Sequence, residues 1–191
     1  MTVDPADRVL AAGGDLVAMS FEGEPDDLVD AIRRQALGRS DGPLDVEVRL
    51  VLGRACRTAH QAVPQIVAAL QLPYHASRGW ADLLAALSDR EASRREVVVV
   101  ADAADLLRDE ELDVWRELVR SLVTPFQCLG GGWQTLVLVD STHGWASSRF
   151  GSPAGAEAAA ARGGPGFSVI VMSAPSTGVR TVPAGGAGGT R

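Results

Sequence analysis

Two aspartates close apolar runs in this sequence: V-V-V-V-A-D ends on Asp102 and L-V-L-V-D on Asp140, with Ser141 and His143 just beyond. Aspartates at the carboxyl ends of buried strands are where open α/β sheets place ligand chemistry. An acid closing a valine run also resembles the Walker B element that holds Mg²⁺ on a nucleotide. That element works with a glycine-rich loop ending in Lys-Ser or Lys-Thr. The chain contains no lysine, so this phosphate loop is excluded, and Schiff-base and lysine-general-base mechanisms with it. Asp140, Ser141 and His143 are too close in sequence to form a triad without the chain folding back. Cys56 and His60 are four residues apart, but two ligands do not make a zinc site. The expectation is no catalytic residue, no metal and no cofactor, hence no enzyme. The weaker alternative is a small hydrolase or nucleotide-binding enzyme working through Asp102 and Asp140.

A second group of residues suits recognition. The stretch L-P-Y-H-A-S-R-G-W-A-D-L-L-A-A-L-S-D runs from Leu72 to Asp89. Pro73 breaks the preceding helix. Trp80, Leu83, Leu84 and Leu87 then mark one helical face, with Ser77 in the N-cap position. Tyr74, His75 and Arg78 in the loop, with Asp82, Ala85 and Asp89 beyond, are the candidate partner-binding residues, since Tyr and Arg recur in interface hot spots. Trp80 reads as core, because it continues the leucine stripe. The acids at 109–113 read as a helix-dipole feature.

These residues need elements to hold them. The alternation at 45–52 predicts a strand with one partly solvated side. Residues 96–101 hold four consecutive valines and predict a central strand covered on both faces, and 135–139 predict another. Helices are expected at 25–37, opened by Pro25; in the second half of 58–70, with Pro64 at its start; and at 109–123. A short strand at 16–21 and an edge strand at 167–172 are further candidates. The order strand, two helices, strand, helix, strand implies a small parallel sheet. A weak helical patch lies at 154–161.

With 191 residues and 46% hydrophobic content the chain has enough to bury a core. A net charge of −6 and a pI near 5.0 argue against a nucleic-acid surface and suit a basic partner. The two cysteines, Cys56 and Cys128, make no disulfide framework. The acidic first residues lack the pattern of a signal peptide, and no run is long enough to span a bilayer. A cytoplasmic location without membrane contact is expected.

The order of these elements, with L-P, a short loop and a tryptophan-led amphipathic helix, resembles the barstar family between about Val46 and Val139. The resemblance implies a small three-stranded parallel α/β sheet packed with helices. It also implies an intracellular inhibitor or immunity-type protein that blocks a basic ribonuclease or other toxin through the loop and helix at 74–89. The family's inhibitory acids are replaced by Ala81 and Ala85 here, and its asparagine by Gly79, which weakens the inhibitor reading and leaves the fold reading in place. The partner is expected to be a protein and not nucleic acid; the alternative is a diverged interaction module with no nuclease target. The expected organisation is an N-terminal extension at 1–43, a barstar-like domain at 44–140, a Gly/Ala-rich segment at 141–173 with its edge strand, and a disordered tail at 174–191.

Overall fold

The computed structural model describes residues 4–12, 16–39, 44–90, 95–123, 134–142, 144–150 and 169–172. The expected helical patch at 154–161 and tail at 174–191 lie outside them, as do His143 and Cys128. Five strands are present: β1 (Leu16–Ser20), β2 (Val46–Leu52), β3 (Arg95–Ala101), β4 (Gln134–Asp140) and β5 (Val169–Met172). All pairings are parallel and the spatial order is β2-β3-β4-β1-β5. The expected three-stranded sheet is therefore corrected to five strands. Leu16–Ser20, expected in an appended extension, lies between β4 and β5, with Leu16 beside Leu136 on one side and Val169 on the other. Its first four side chains are buried, so both its faces need cover.

Alternating strand residues feed two cores. Val17, Met19, Val97, Val99, Val137 and Val139 point to α1 (Pro5–Ala11) and α2 (Pro25–Leu37), which bury Val9, Leu28 and Ile32 against them. Leu16, Ala18, Val98, Val100, Leu136 and Leu138 point to the opposite layer. That layer holds α3 (Ala59–Leu70), α4 (Trp80–Ser88), α5 (Leu112–Val123) and α6 (Trp145–Phe150). The period of two along each strand is what sorts these residues into separate layers.

Local chemistry fixes the helix ends. Thr58 and Gln61 form a reciprocal capping box that starts α3 at Ala59. Pro64 thus sits inside the helix, not at its start as expected. Gln71 closes α3 in the left-handed region at φ 52°, with Leu72 N–H donating to Val67 O at 3.0 Å. Helix α5 begins at Leu112, later than expected, so Asp109, Glu110 and Glu111 precede it.

Candidate functional site

The carboxyl ends of the strands, where a ligand would sit in an open parallel sheet, are tied together by the chain itself. The Asp140 carboxylate accepts from Ala104 N–H at 2.8 Å through Oδ2 and from Thr142 N–H at 2.7 Å through Oδ1. Phe21 N–H donates to Asp140 O at 3.0 Å and Ala103 N–H to Val139 O at 3.0 Å. Asp140 therefore joins the end of β4 to the segment after β3 and to the exit of β1. Both carboxylate oxygens are engaged by backbone donors, which gives this acid a structural task.

Trp145 closes the rim beside it. Its side chain is buried, and its indole N–H donates to Met19 O near the end of β1 at 3.3 Å. One turn on, Arg149 donates to Ala104 O at 3.0 Å and Leu106 O at 3.2 Å and lies over the Trp115 ring at 5.9 Å. Burial, then the nearby Arg108, pushes the Arg149 guanidinium below its usual range, while Asp105 opposes the shift. Phe150 packs edge-on against Trp115 at 5.1 Å. The sequence reading missed Trp145 and Arg149; the signal was W-A-S-S-R-F, three large side chains among small ones.

At the other end of the rim, Gly53 follows β2. A Cβ there would lie 2.3 Å from Asp102 O, so the turn requires glycine to let two backbones approach. Asp102 adopts φ 50°, and its Oδ2 lies 3.4 Å from Arg54 Nε. Leu107 N–H donates to Cys56 O at 2.8 Å. Arg57 pairs with Asp109 at 3.0 Å, and Glu110 Oε1 accepts from Ala59 N–H at 2.7 Å. Of the acids expected to serve the dipole of α5, Asp109 and Glu110 instead fasten the loop before it to the start of α3, and Asp113 lies in the first turn of α5. Burial pushes the Cys56 thiol up to about 11, so it stays protonated at neutral pH.

The connection from β1 to α2 is the remaining strand–helix junction at this end, and it is acidic. Glu22, Glu24, Asp26 and Asp27 are all exposed around the first turn of α2. A helix N-terminus with free N–H groups attracts phosphate. Here four side-chain carboxylates already complement that dipole and repel a further anion. Among the described residues no group of three or more His, Cys, Asp or Glu is arranged to hold a metal ion.

The second candidate surface is the corner formed by a 3-10 turn (Tyr74–Arg78) and α4. Tyr74, His75, Arg78, Asp82, Ala85 and Asp89 are all exposed, Tyr74 at 84%. Ala76, Leu83, Ala86 and Leu87 face the core. Ser77 does not cap α4; its hydroxyl donates to Tyr74 O at 2.7 Å, and Gly79 takes the N-cap position. Trp80 is half-buried on the core, with its indole N–H donating to Glu117 Oε2 at 3.2 Å. All six proposed partner-binding residues thus share one exposed region. Asp102, Asp140 and Ser141 lie away from it, at the strand ends.

No family model matches the chain, and no curated protein does. Solved structures do. The Aeropyrum pernix ORC2 protein in ADPNP–ADP complexes aligns at TM-score 0.54 and 18% identity, over 88% of this chain and 44% of that one. Its ADP form aligns at TM-score 0.51 and 15% identity, over 88% and 45%. The chain thus spans less than half the length of these proteins. The fold resembles that of these ORC2 structures, not that of barstar. The resemblance to barstar is overturned, and the ribonuclease-inhibitor, antitoxin and immunity readings with it. The physical reason is the place of β1: a strand from before the resembling segment enters the sheet beside β4, which the local helix–turn–helix likeness does not reveal. The exclusion of nucleic acid, which rested on net charge, is withdrawn as well. Drosophila ORC bound to DNA also aligns, at TM-score 0.48 and 18% identity over 87% of this chain and 28% of that one.

Proposed function

We propose that this chain is a binding module on an ORC-type fold that neither holds nor hydrolyses a nucleoside triphosphate. The carrying observation is the state of Asp140: both carboxylate oxygens accept backbone N–H groups, while the buried Trp145 donates its indole N–H to Met19 O near the end of β1. The lysine-free sequence and the acidic β1–α2 junction support the same reading. The function then falls to surfaces away from the strand ends, and the exposed corner at 74–89 is the one we assign to binding. A cytoplasmic setting fits the free, buried thiol of Cys56. No described helix is long and apolar enough to cross a membrane.

The test is titration of a fluorescent ADP analogue and of ATP with Mg²⁺, read by anisotropy and calorimetry. The expected result is no saturable binding up to about 1 mM, where binding would contribute about 4 kcal/mol. Saturable binding that unlabelled ATP displaces and Asp102→Ala weakens would replace this reading with that of a nucleotide-binding protein.

A further inference from the structure

We infer that the outer edge of β2 is a self-association surface, on which a second copy of this chain pairs antiparallel to extend the sheet. Strand β2 stands last in the order β2-β3-β4-β1-β5, and among the described residues it pairs only with β3. It is seven residues long, with β-branched or leucine side chains at Val46, Val48, Leu50, Val51 and Leu52. A long apolar edge presents a row of unpaired N–H and C=O groups and invites another strand. Val48 O accepts from Arg33 Nη2 of α2 at 3.4 Å, which marks the even-numbered backbone groups as the outward set.

The sequence of β2 complements itself about Val48. If Val48 of one copy lies opposite Val48 of the other, Val46 meets Leu50 and Glu47 meets Arg49, in both directions. Glu47 and Arg49 share the face of the sheet that α3 covers, since Arg49 donates to Gln71 Oε1 at 3.2 Å. With the even positions hydrogen-bonded, 47 and 49 form the non-hydrogen-bonded pairs, in which opposed side chains approach most closely. Each interface would therefore carry two Glu–Arg pairs and about six backbone hydrogen bonds. Glu47 has the freedom to reach across: its side chain is 43% exposed, whereas Arg49 is 14% exposed and already lies 2.6 Å from Glu47 and 3.5 Å from Glu96. The atom of Arg49 that faces Glu96 is Nε, so its ion pair points inward, away from the edge. A like-charged edge would repel its own copy; this one does not. The obstacle is Arg33, which must leave Val48 O. Its bond is long, and its side chain is 53% exposed beside Asp30, so it has solvent to move into.

The test is the solution mass of the intact protein by light scattering across about 1–200 µM, the range in which weak strand-mediated dimers dissociate. The expected mass rises with concentration from 19.9 kDa towards about twice that value. Glu47→Arg places arginine opposite Arg49 of the second copy and is expected to hold the protein monomeric throughout, with its far-UV spectrum and cooperative melt retained. Val48→Pro removes a central outward N–H and is expected to do the same. A wild type that stays monomeric overturns the proposal. So does a dimer that Glu47→Arg leaves intact, which would locate the interface elsewhere. If Val48→Pro fails to fold, Glu47→Arg decides alone. Nucleotide has no part in this interface, so the result stands whatever the nucleotide titration shows.

Discussion

The strand-end rim and the corner at 74–89 draw on the same kinds of residue, aspartate, arginine and a large aromatic, and turn them in opposite directions. At the rim Asp140 accepts backbone N–H groups, Arg149 donates to backbone carbonyls and Trp145 is buried. At the corner Asp82, Arg78 and Tyr74 face solvent while alanine and leucine hold the turn to the core. Sequence position alone suggests the reverse, because strand-end aspartates are where this class of sheet places its chemistry. The lesson is that a strand-end acid signals chemistry only when its oxygens remain free. Where a loop donates to both, the same acid is a fastener.

The sharpest way to break this contrast is to remove the closure. Trp145→Ala is expected to destabilise the protein by about 3–5 kcal/mol, because it deletes a buried aromatic and leaves Met19 O without its indole donor. Urea unfolding measures it. A loss under about 1 kcal/mol would mean that α6 does not seal the sheet.

Next in size is Asp140→Ala, expected to cost about 2–3 kcal/mol by orphaning the N–H groups of Ala104 and Thr142. An enzyme using this acid would lose turnover with stability little changed; a fastener loses stability. Thermal unfolding separates the two. Destabilisation below about 0.5 kcal/mol would reopen Asp140 as a free functional group.

Cys56 tests whether the rim is dry. Its thiol is raised from 9.0 to about 11 by burial, so the folded state keeps a proton that the unfolded chain releases first. Stability from this group is therefore complete below pH 9 and is lost as pH climbs from 9 towards 11, on the order of 2 kcal/mol in all. Urea midpoints at pH 8, 9 and 10 for the wild type and Cys56→Ala check it. The wild type is expected to fall more steeply; parallel slopes would show a thiol in contact with water.

These effects also explain what the sequence disclosed. The valine run, the alternation at β2 and the apolar run at β4 are legible because burial on two faces, or on one, writes its period directly into composition. Helix α2 is legible from Pro25 and the acids after it. The place of β1 is not, because strand order depends on pairing, and Leu16–Ser20 looks the same whether at an edge or inside. The barstar likeness failed for that reason: the elements from β2 to β4 follow the expected order while a sheet of different topology closes around them. The capping box at Thr58 and Gln61 was readable and would have moved Pro64 inside α3. Trp145 and Arg149 were hidden by the small residues around them. The exposure of the corner residues was legible, because it follows from the same helical stripe that marks the core.

The smallest expected effect bears on that corner. Tyr74 is 84% exposed, its ring takes no part in the buried cores, and the hydrogen bond at this turn runs from the Ser77 hydroxyl to the Tyr74 backbone carbonyl. Tyr74→Ala leaves that carbonyl in place, so the change in stability is expected to stay within about 0.5 kcal/mol, the range of ordinary surface substitutions. An aromatic ring that contributes nothing to folding and remains in water is available for recognition, since burying it against a partner would remove apolar area at little conformational cost. The same substitution in Leu83, fully buried on the inner side of α4, is expected to cost about 2–5 kcal/mol. Measuring the two variants side by side by urea unfolding weighs the outer side of the corner against the inner. If Tyr74→Ala proves as damaging as a core truncation, the ring belongs to the fold, and the corner loses its claim to be the binding face.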